Sequence, residues 1–204
     1  MGLYVKENNS CYFIHIPRTG GRYVRALFHN TPGIECKYHR FDIIVDGKEV
    51  CHFHYPLYND LSNVKNVPHI TIVRNPIDRF FSLIRNIGDS DIIKFNSITS
   101  EDDFINFIKF QLEVESFHNN WFLPQSKFVS NKTNIWKYEQ GFNEDFFDWI
   151  LDKTGIQLTN KKVNYAHFEN ENQSEYDIDI NKIKNYIKNF YHEDFKMFGY
   201  DEAL

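Results

Sequence analysis

Residues Cys11 to Phe28, CYFIHIPRTGGRYVRALF, constrain the fold more than any other stretch of the chain. Tyr12 to Ile16 is a short apolar run rich in β-formers and reads as a buried strand. Pro17 stops it. Gly20 and Gly21 follow, and two adjacent glycines let the backbone turn sharply and approach a ligand closely. Tyr23 to His29 then has helical spacing, with Val24, Leu27 and Phe28 on one side. A strand, a glycine-containing turn and a helix start together form an anion site. The free N–H groups of the first helical turn point at the ligand, and the helix dipole favours negative charge there. Arg18, Arg22 and Arg25 add cations, and an arginine fork matches phosphate and sulfate oxygens. The stretch is neither a G-x-x-x-x-G-K-[ST] loop nor a G-x-G-x-x-G turn. Two glycines at such a place also have a plain reading, in which they only make the turn.

The arginine distribution extends the argument. Every arginine except Arg40 lies in this motif or between Arg74 and Arg85, while the lysines are scattered. A chain of net charge −5 that gathers its arginines into two short segments is expected to bring those segments together around an anion. The same net charge argues against a general nucleic-acid binder. A length of 204 residues with 42% hydrophobic content supports one domain, 1–204, with a proper core. Cys11, Cys36 and Cys51 are odd in number and form no C-x-x-C pair, so neither a disulfide framework nor a zinc site is indicated, and a reducing compartment fits. No signal peptide is read before the first strand and no apolar run reaches membrane-spanning length. The expectation is a soluble, cytoplasmic protein, or a chain trimmed to its domain.

Further along, Phe41–Val45 and Glu49–Phe53 read as two strands joined at Asp46-Gly47, a good hairpin signal. His69–Val73 is a second buried strand. Pro76 opens a helix with Asp78 in its first turn and Ile77, Phe80, Phe81 and Ile84 on its apolar face. Ser100 caps a helix from Glu101 to about Ser116. Asn134–Tyr138 is a third strand, Phe142–Thr154 a helix stopped by Gly155, and Asp179 the cap of a last strong helix. Pro56–Val67 and Phe117–Ser130 read as loops. Strands alternating with helices indicate an α/β fold with a mostly parallel central sheet flanked by helices on both faces. In such sheets ligands bind beyond the carboxyl ends of the strands, where both Arg18 and Arg74 fall.

These residues resemble a known family. HIPRTGG is similar to the HIPKTGG loop of the sulfotransferases related to the heparan sulfate and carbohydrate O-sulfotransferases, and VRNPIDRFFS resembles that family's VRDPxxRxxS segment. A histidine between the loops, Pro124-Gln125, a strand ending in Glu139 and a terminal DFxxFGY at Asp194–Tyr200 follow in the family's order. The resemblance covers nearly the whole chain. It implies a single sulfotransferase domain with a P-loop-like three-layer fold. It also implies transfer of a sulfonate from 3′-phosphoadenosine-5′-phosphosulfate (PAPS) to a hydroxyl, releasing adenosine 3′,5′-bisphosphate (PAP), with no metal. By position it implies that Arg18, Thr19, Gly20, Gly21, Arg22 and Tyr23 hold the 5′-phosphosulfate, and that Arg74 and Ser82 hold the 3′-phosphate. The closest branch implies a carbohydrate acceptor.

Three positions depart from the pattern. The family's loop lysine is Arg18, which is always protonated and so acts by stabilising the bridging oxygen electrostatically. The family's Thr and Ser after the glycines are Arg22 and Tyr23, whose part falls to backbone N–H groups and the Arg22 charge. Transfer to a hydroxyl needs a base within hydrogen-bond reach. Cys51-His52-Phe53-His54 stands where the family has its histidine. His52 matches best, and His54 is the alternative, since a regular strand puts them on opposite faces. His15 reads as a packed histidine, while Glu139, Lys137 and Gln125 fit a surface or structural role as well as a contact with the acceptor. A catalytically degenerate nucleotide-binding or scaffold protein of the same fold is the rival reading, and a P-loop-type kinase a weaker one, since the lysine–serine pair is missing.

Overall fold

A hairpin absent from the sequence reading opens the chain. Strands β1 (Gly2–Lys6) and β2 (Asn9–Ile14) pair antiparallel, with Tyr4 opposite Cys11. The two residues between them include Glu7 at φ 55, a left-handed position without glycine. The structure, a computed structural model, describes residues 2–38, 44–45, 48–49, 55, 58, 63–113, 120–159 and 179–201. Strand β3 (Glu35–Lys37) pairs antiparallel with the other side of β1. The short strands β4 (Ile44–Val45) and β5 (Lys48–Glu49) pair antiparallel with each other, at the heart of the expected hairpin; its outer residues and Asp46-Gly47 lie outside the described residues. Strand β6 (His69–Val73) runs parallel to β2, and β7 (Thr133–Lys137) parallel to β6.

The five-stranded sheet therefore has the order β3-β1-β2-β6-β7. It is mixed, not mostly parallel as expected. The reason is the two-residue connection after β1, which can only reverse the chain; parallel pairing needs a crossover. The parallel half, β2-β6-β7, is the half that carries the glycine loop. Every residue of β6 is buried, the continuous burial of a strand covered on both faces.

The chain divides into two compact units: Met1–Arg74 with Lys127–Tyr165, and Asn75–Ser126 with Ala166–Leu204. The first holds the sheet with helices α1 (Gly21–Asn30) and, further along the chain, α5 (Glu144–Thr154), packed through Phe13, Leu27, Phe28, Ile72, Trp136 and Phe146. Gly155, at φ 69, ends α5 where the sequence placed its stop. Cys11 and Cys36 flank Tyr4 across β1 and are free thiols. Burial raises the Cys11 thiol and pushes Cys36 up to about 11, so neither is a ready nucleophile.

The second unit is built, among the described residues, from helices alone. They are α2 (Pro76–Ile84), α3 (Asp89–Asn96), α4 (Glu101–Glu113), α6 (Ile180–Phe190) and α7 (His192–Phe198). Phe80, Phe95, Phe104, Phe122, Tyr191 and Phe195 fill its core. Asn75 caps α2, its Oδ1 accepting from the Ile77 N–H at 2.9 Å, ahead of Pro76. Ser100 and Asp103 form a reciprocal cap on α4. The Ser100 hydroxyl accepts from the Asp103 N–H at 3.1 Å, and the Asp103 carboxylate accepts from the Ser100 N–H at 2.9 Å.

A cation and a carboxylate sit inside this helical core. Arg79 is 1% exposed and donates through Nη1 to the Leu123 carbonyl at 3.1 Å and through Nη2 to the Trp121 carbonyl at 2.6 Å. Asp194, fully buried on α7, accepts from the Gln125 and Ser126 N–H groups at 2.7 and 2.8 Å. The Tyr191 hydroxyl donates to the Phe122 carbonyl at 2.7 Å. Burial draws the Arg79 pKa down, opposed by Tyr191 and Asp194. Three side chains thus satisfy main-chain groups over residues 121–126 that no helix or strand would pair. Among the described residues, no helix is long and apolar enough to cross a membrane.

Candidate functional site

The site starts from the carboxyl ends of the three parallel strands. β2 ends at Ile14, and Pro17–Gly20 turns the chain into α1. The turn needs two left-handed residues, Arg18 at φ 67 and Gly20 at φ 88. For glycine this costs nothing; for arginine it is an uncommon conformation held by its surroundings. Thr19 supplies part of that hold. It is fully buried, and its hydroxyl donates to the Ile16 carbonyl at 2.9 Å, so the side chain faces inward.

Both glycines are fixed by close neighbours. A Cβ on Gly20 would come within 2.7 Å of the Phe142 ring and 3.1 Å of Tyr138. A Cβ on Gly21 would fall inside the His15 imidazole, which is buried beneath the turn. His15 is therefore a packed histidine, as the sequence reading had it, with its ring stacked on Phe13 at 6.2 Å. Helix α1 begins with no capping side chain and no acidic residue in its first turn, so nothing in its own sequence neutralises the positive end of its dipole. Arg22 is exposed on that turn. Tyr23 turns sideways and packs on Phe142 at 4.9 Å, where burial raises its phenol pKa.

The second arginine segment divides at this point. Arg74, just past β6, places its guanidinium 4.7 Å above the Tyr138 ring, and its Nη1 donates to the Arg18 carbonyl at 3.4 Å. The two loops are 56 residues apart in sequence and meet here. Tyr138 opens a short 3-10 turn, Tyr138–Gln140, directly after β7, and its ring stands edge-on to Phe142 at 5.8 Å. The glycine loop, Arg74 and an aromatic wall of Tyr23, Phe142 and Tyr138 thus lie within one unit. Ser82, the other expected phosphate ligand, is 3% exposed on α2 of the helical unit, and its carbonyl accepts from Asn86 Nδ2 at 2.9 Å. Arg79 is spent on the carbonyls described above.

His52 and His54, the two candidate bases, lie outside the described residues, as does Cys51. Glu139 is exposed on the 3-10 turn, whereas Gln125 is fully buried with its N–H on Asp194. The sequence reading missed Tyr138 and Phe142 as parts of the site. The sequence counts Tyr138 as the last residue of the third strand; because β7 ends at Lys137, Tyr138 instead takes the position after a parallel strand, as Arg74 does. Two clefts, of about 240 Å³ beside Glu144, Phe147 and Leu158 in the sheet unit and about 280 Å³ beside Lys94, Phe107 and Phe110 in the helical unit, have no residue of the glycine loop in their walls. Neither has the convergent cations that an anionic ligand requires.

No protein-family model matches this chain, and no curated protein and no solved structure matches it either.

Proposed function

We propose that this chain is a PAPS-dependent O-sulfotransferase built on a P-loop-like scaffold, with a sugar hydroxyl as acceptor. What supports the reading most is one contact, the Arg74 guanidinium donating to the Arg18 carbonyl. It joins the two arginine-bearing loops that the sequence singles out as anion-binding. The uncapped start of α1 and the exposed Arg22 add to the attraction for a phosphate.

In this reading the acceptor oxygen attacks sulfur in line with the bridging oxygen to the 5′-phosphate. The new S–O bond forms as the bridging S–O bond breaks, and the electron pair leaves with PAP. The acceptor's proton goes to a base, His52 or His54. Arg18 stabilises the charge growing on the bridging oxygen, at a step where it donates no proton. Main-chain N–H groups at Gly20–Arg22 hold the 5′-side oxygens and Arg74 the 3′-phosphate. The Thr19 hydroxyl and the Tyr23 ring are engaged elsewhere, which leaves their family roles to the backbone and to Arg22.

Calorimetric titration with PAP, AMP and ATP tests the proposal. Binding that requires the 3′-phosphate and falls in Arg74→Ala supports it, and sulfonate transfer from labelled PAPS to a glycan panel completes it. Preference for ATP with Mg²⁺, or no binding at all, overturns it. Nucleotide binding without transfer to any acceptor favours the non-catalytic rival.

A further inference from the structure

We propose that Tyr138 is a positioning residue for nucleotide recognition, holding the Arg74 fork in the plane that reads a 3′-phosphate; the inference rests on the sulfotransferase reading above. The geometry is specific. Arg74 has its guanidinium 4.7 Å from the centroid of the Tyr138 ring, within the range of a cation–π contact. One terminal nitrogen is tied to the Arg18 carbonyl. A guanidinium held on one face by a ring and at one corner by a carbonyl has little rotational freedom left. Its rotamer entropy is lost before a ligand arrives, so less is lost when a phosphate binds.

Tyr138 is itself held. Its ring meets Phe142 edge-on at 5.8 Å, and Phe142 in turn packs on Tyr23 of α1 at 4.9 Å and on Phe146 of α5 at 5.0 Å. The backbone at Tyr138 is fixed by the 3-10 turn, whose Gly141 N–H donates to the Tyr138 carbonyl at 3.0 Å. Both glycine-loop side and arginine side therefore touch one aromatic group: the position of a Cβ on Gly20 is limited by Phe142 and Tyr138, and the plane of Arg74 by Tyr138. The position after the third parallel strand contributes a ring. It sets the angle at which a charge from the second strand is presented.

A merely structural role for Tyr138 predicts lost stability and equal loss of affinity for every nucleotide. A positioning role predicts loss confined to ligands that carry a 3′-phosphate, with rescue by any flat ring. The experiment compares wild type, Tyr138→Phe and Tyr138→Leu by calorimetry with PAP and AMP, with thermal unfolding of each variant. We expect Tyr138→Leu to weaken PAP about tenfold. AMP should stay within about twofold and Tyr138→Phe within about threefold of wild type for PAP, since the ring face is kept. If wild type discriminates PAP from AMP and Tyr138→Leu leaves that ratio unchanged, the positioning role is wrong while the donor assignment stands. If Tyr138→Leu weakens PAP and AMP equally, the residue is structural. If wild type shows no preference for PAP, the sulfotransferase reading fails and this inference with it.

Discussion

In the sheet unit, Arg74 keeps its guanidinium on the Tyr138 ring beside the glycine loop; in the helical unit, Arg79 of the same sequence motif is 1% exposed and has both terminal nitrogens on carbonyls. The two residues are alike in type and nearly adjacent in sequence. Their surroundings differ in what the main chain needs. Around Arg79 the chain from Trp121 to Ser126 has carbonyls and N–H groups without a ladder, and a buried cation and a buried carboxylate serve them. Around Arg74 the ladders of β2, β6 and β7 pair the strands' own main chain, and the guanidinium is shared between one loop carbonyl, that of Arg18, and the Tyr138 ring. An arginine in a motif is thus no measure of function until the backbone around it has been accounted for.

The largest effect that tests this contrast is Arg79→Leu. It removes the buried partner of two loop carbonyls and strips Asp194 of a neighbouring charge, at a cost of about 3–5 kcal/mol, read as a shift in the urea midpoint of the helical signal. Arg74→Leu should cost less than about 1 kcal/mol and abolish the preference for PAP over AMP. Equal destabilisation by the two variants would erase the distinction drawn here. Asp194→Asn comes next. One amide oxygen cannot serve both the Gln125 and the Ser126 N–H groups as the carboxylate does, and the loss should be about 2 kcal/mol in the same urea experiment.

Gly21→Ala sharpens the comparison from the other side. The new methyl meets the buried His15 ring, an overpacking cost of about 1–3 kcal/mol. Gly88→Ala is the control, because a Cβ there meets nothing within 4 Å and its φ is −72. That variant should stay within about 0.5 kcal/mol of wild type. Thermal unfolding separates the pair, and equal melting points would show that the loop is slack.

The smallest effect is a titration. The Thr99 and Ser100 hydroxyls and N–H groups hold the Asp103 carboxyl at about 2, below its ordinary 3.8. A carboxyl lowered on folding stabilises the folded state fully above its unfolded-chain value, and that support is lost as pH falls through about 2. Between pH 4 and 2, the protection of amides at the start of α4, taken relative to intrinsic exchange at each pH, should therefore fall in wild type. Asp103→Asn should show the lower protection already at pH 7 and no such slope. A slope common to both would assign it to another carboxylate.

The sequence was legible where a local pattern and the tertiary outcome agreed. The apolar runs at Tyr12 and His69 were strands because each is flanked by a residue that stops it, and Ser100, Pro76 and Gly155 marked helix ends that packing respected. The first strand was not legible. Its turn carries no glycine, and its left-handed residue is Glu7, so the usual sign of a hairpin is missing. That omission also made the sheet appear mostly parallel. Helix α3 escaped notice because only Asp91 and Phe95 of its eight residues are buried, too few to show a period. At the site, the glycine loop and Arg74 were readable from position after a strand. The inward turn of the Thr19 hydroxyl, the diversion of Arg79 and the wall formed by Tyr138 and Phe142 depend on contacts across long sequence distances, and no local pattern carries those.

The division of the chain into Met1–Arg74, Asn75–Ser126, Lys127–Tyr165 and Ala166–Leu204, alternating between units, has a consequence for biosynthesis. Strand β6 leaves the ribosome with residues 74–132 still to be made before β7 can cover its free edge. At ordinary elongation rates that edge waits about 3–12 s. The strand concerned is HITIV, rich in β-branched residues and without Lys, Arg, Asp or Glu as a gatekeeper. A ribosomal pause within residues 74–132 lengthens the wait, and on a crowded polysome the nearest strand able to end it belongs to the neighbouring nascent chain.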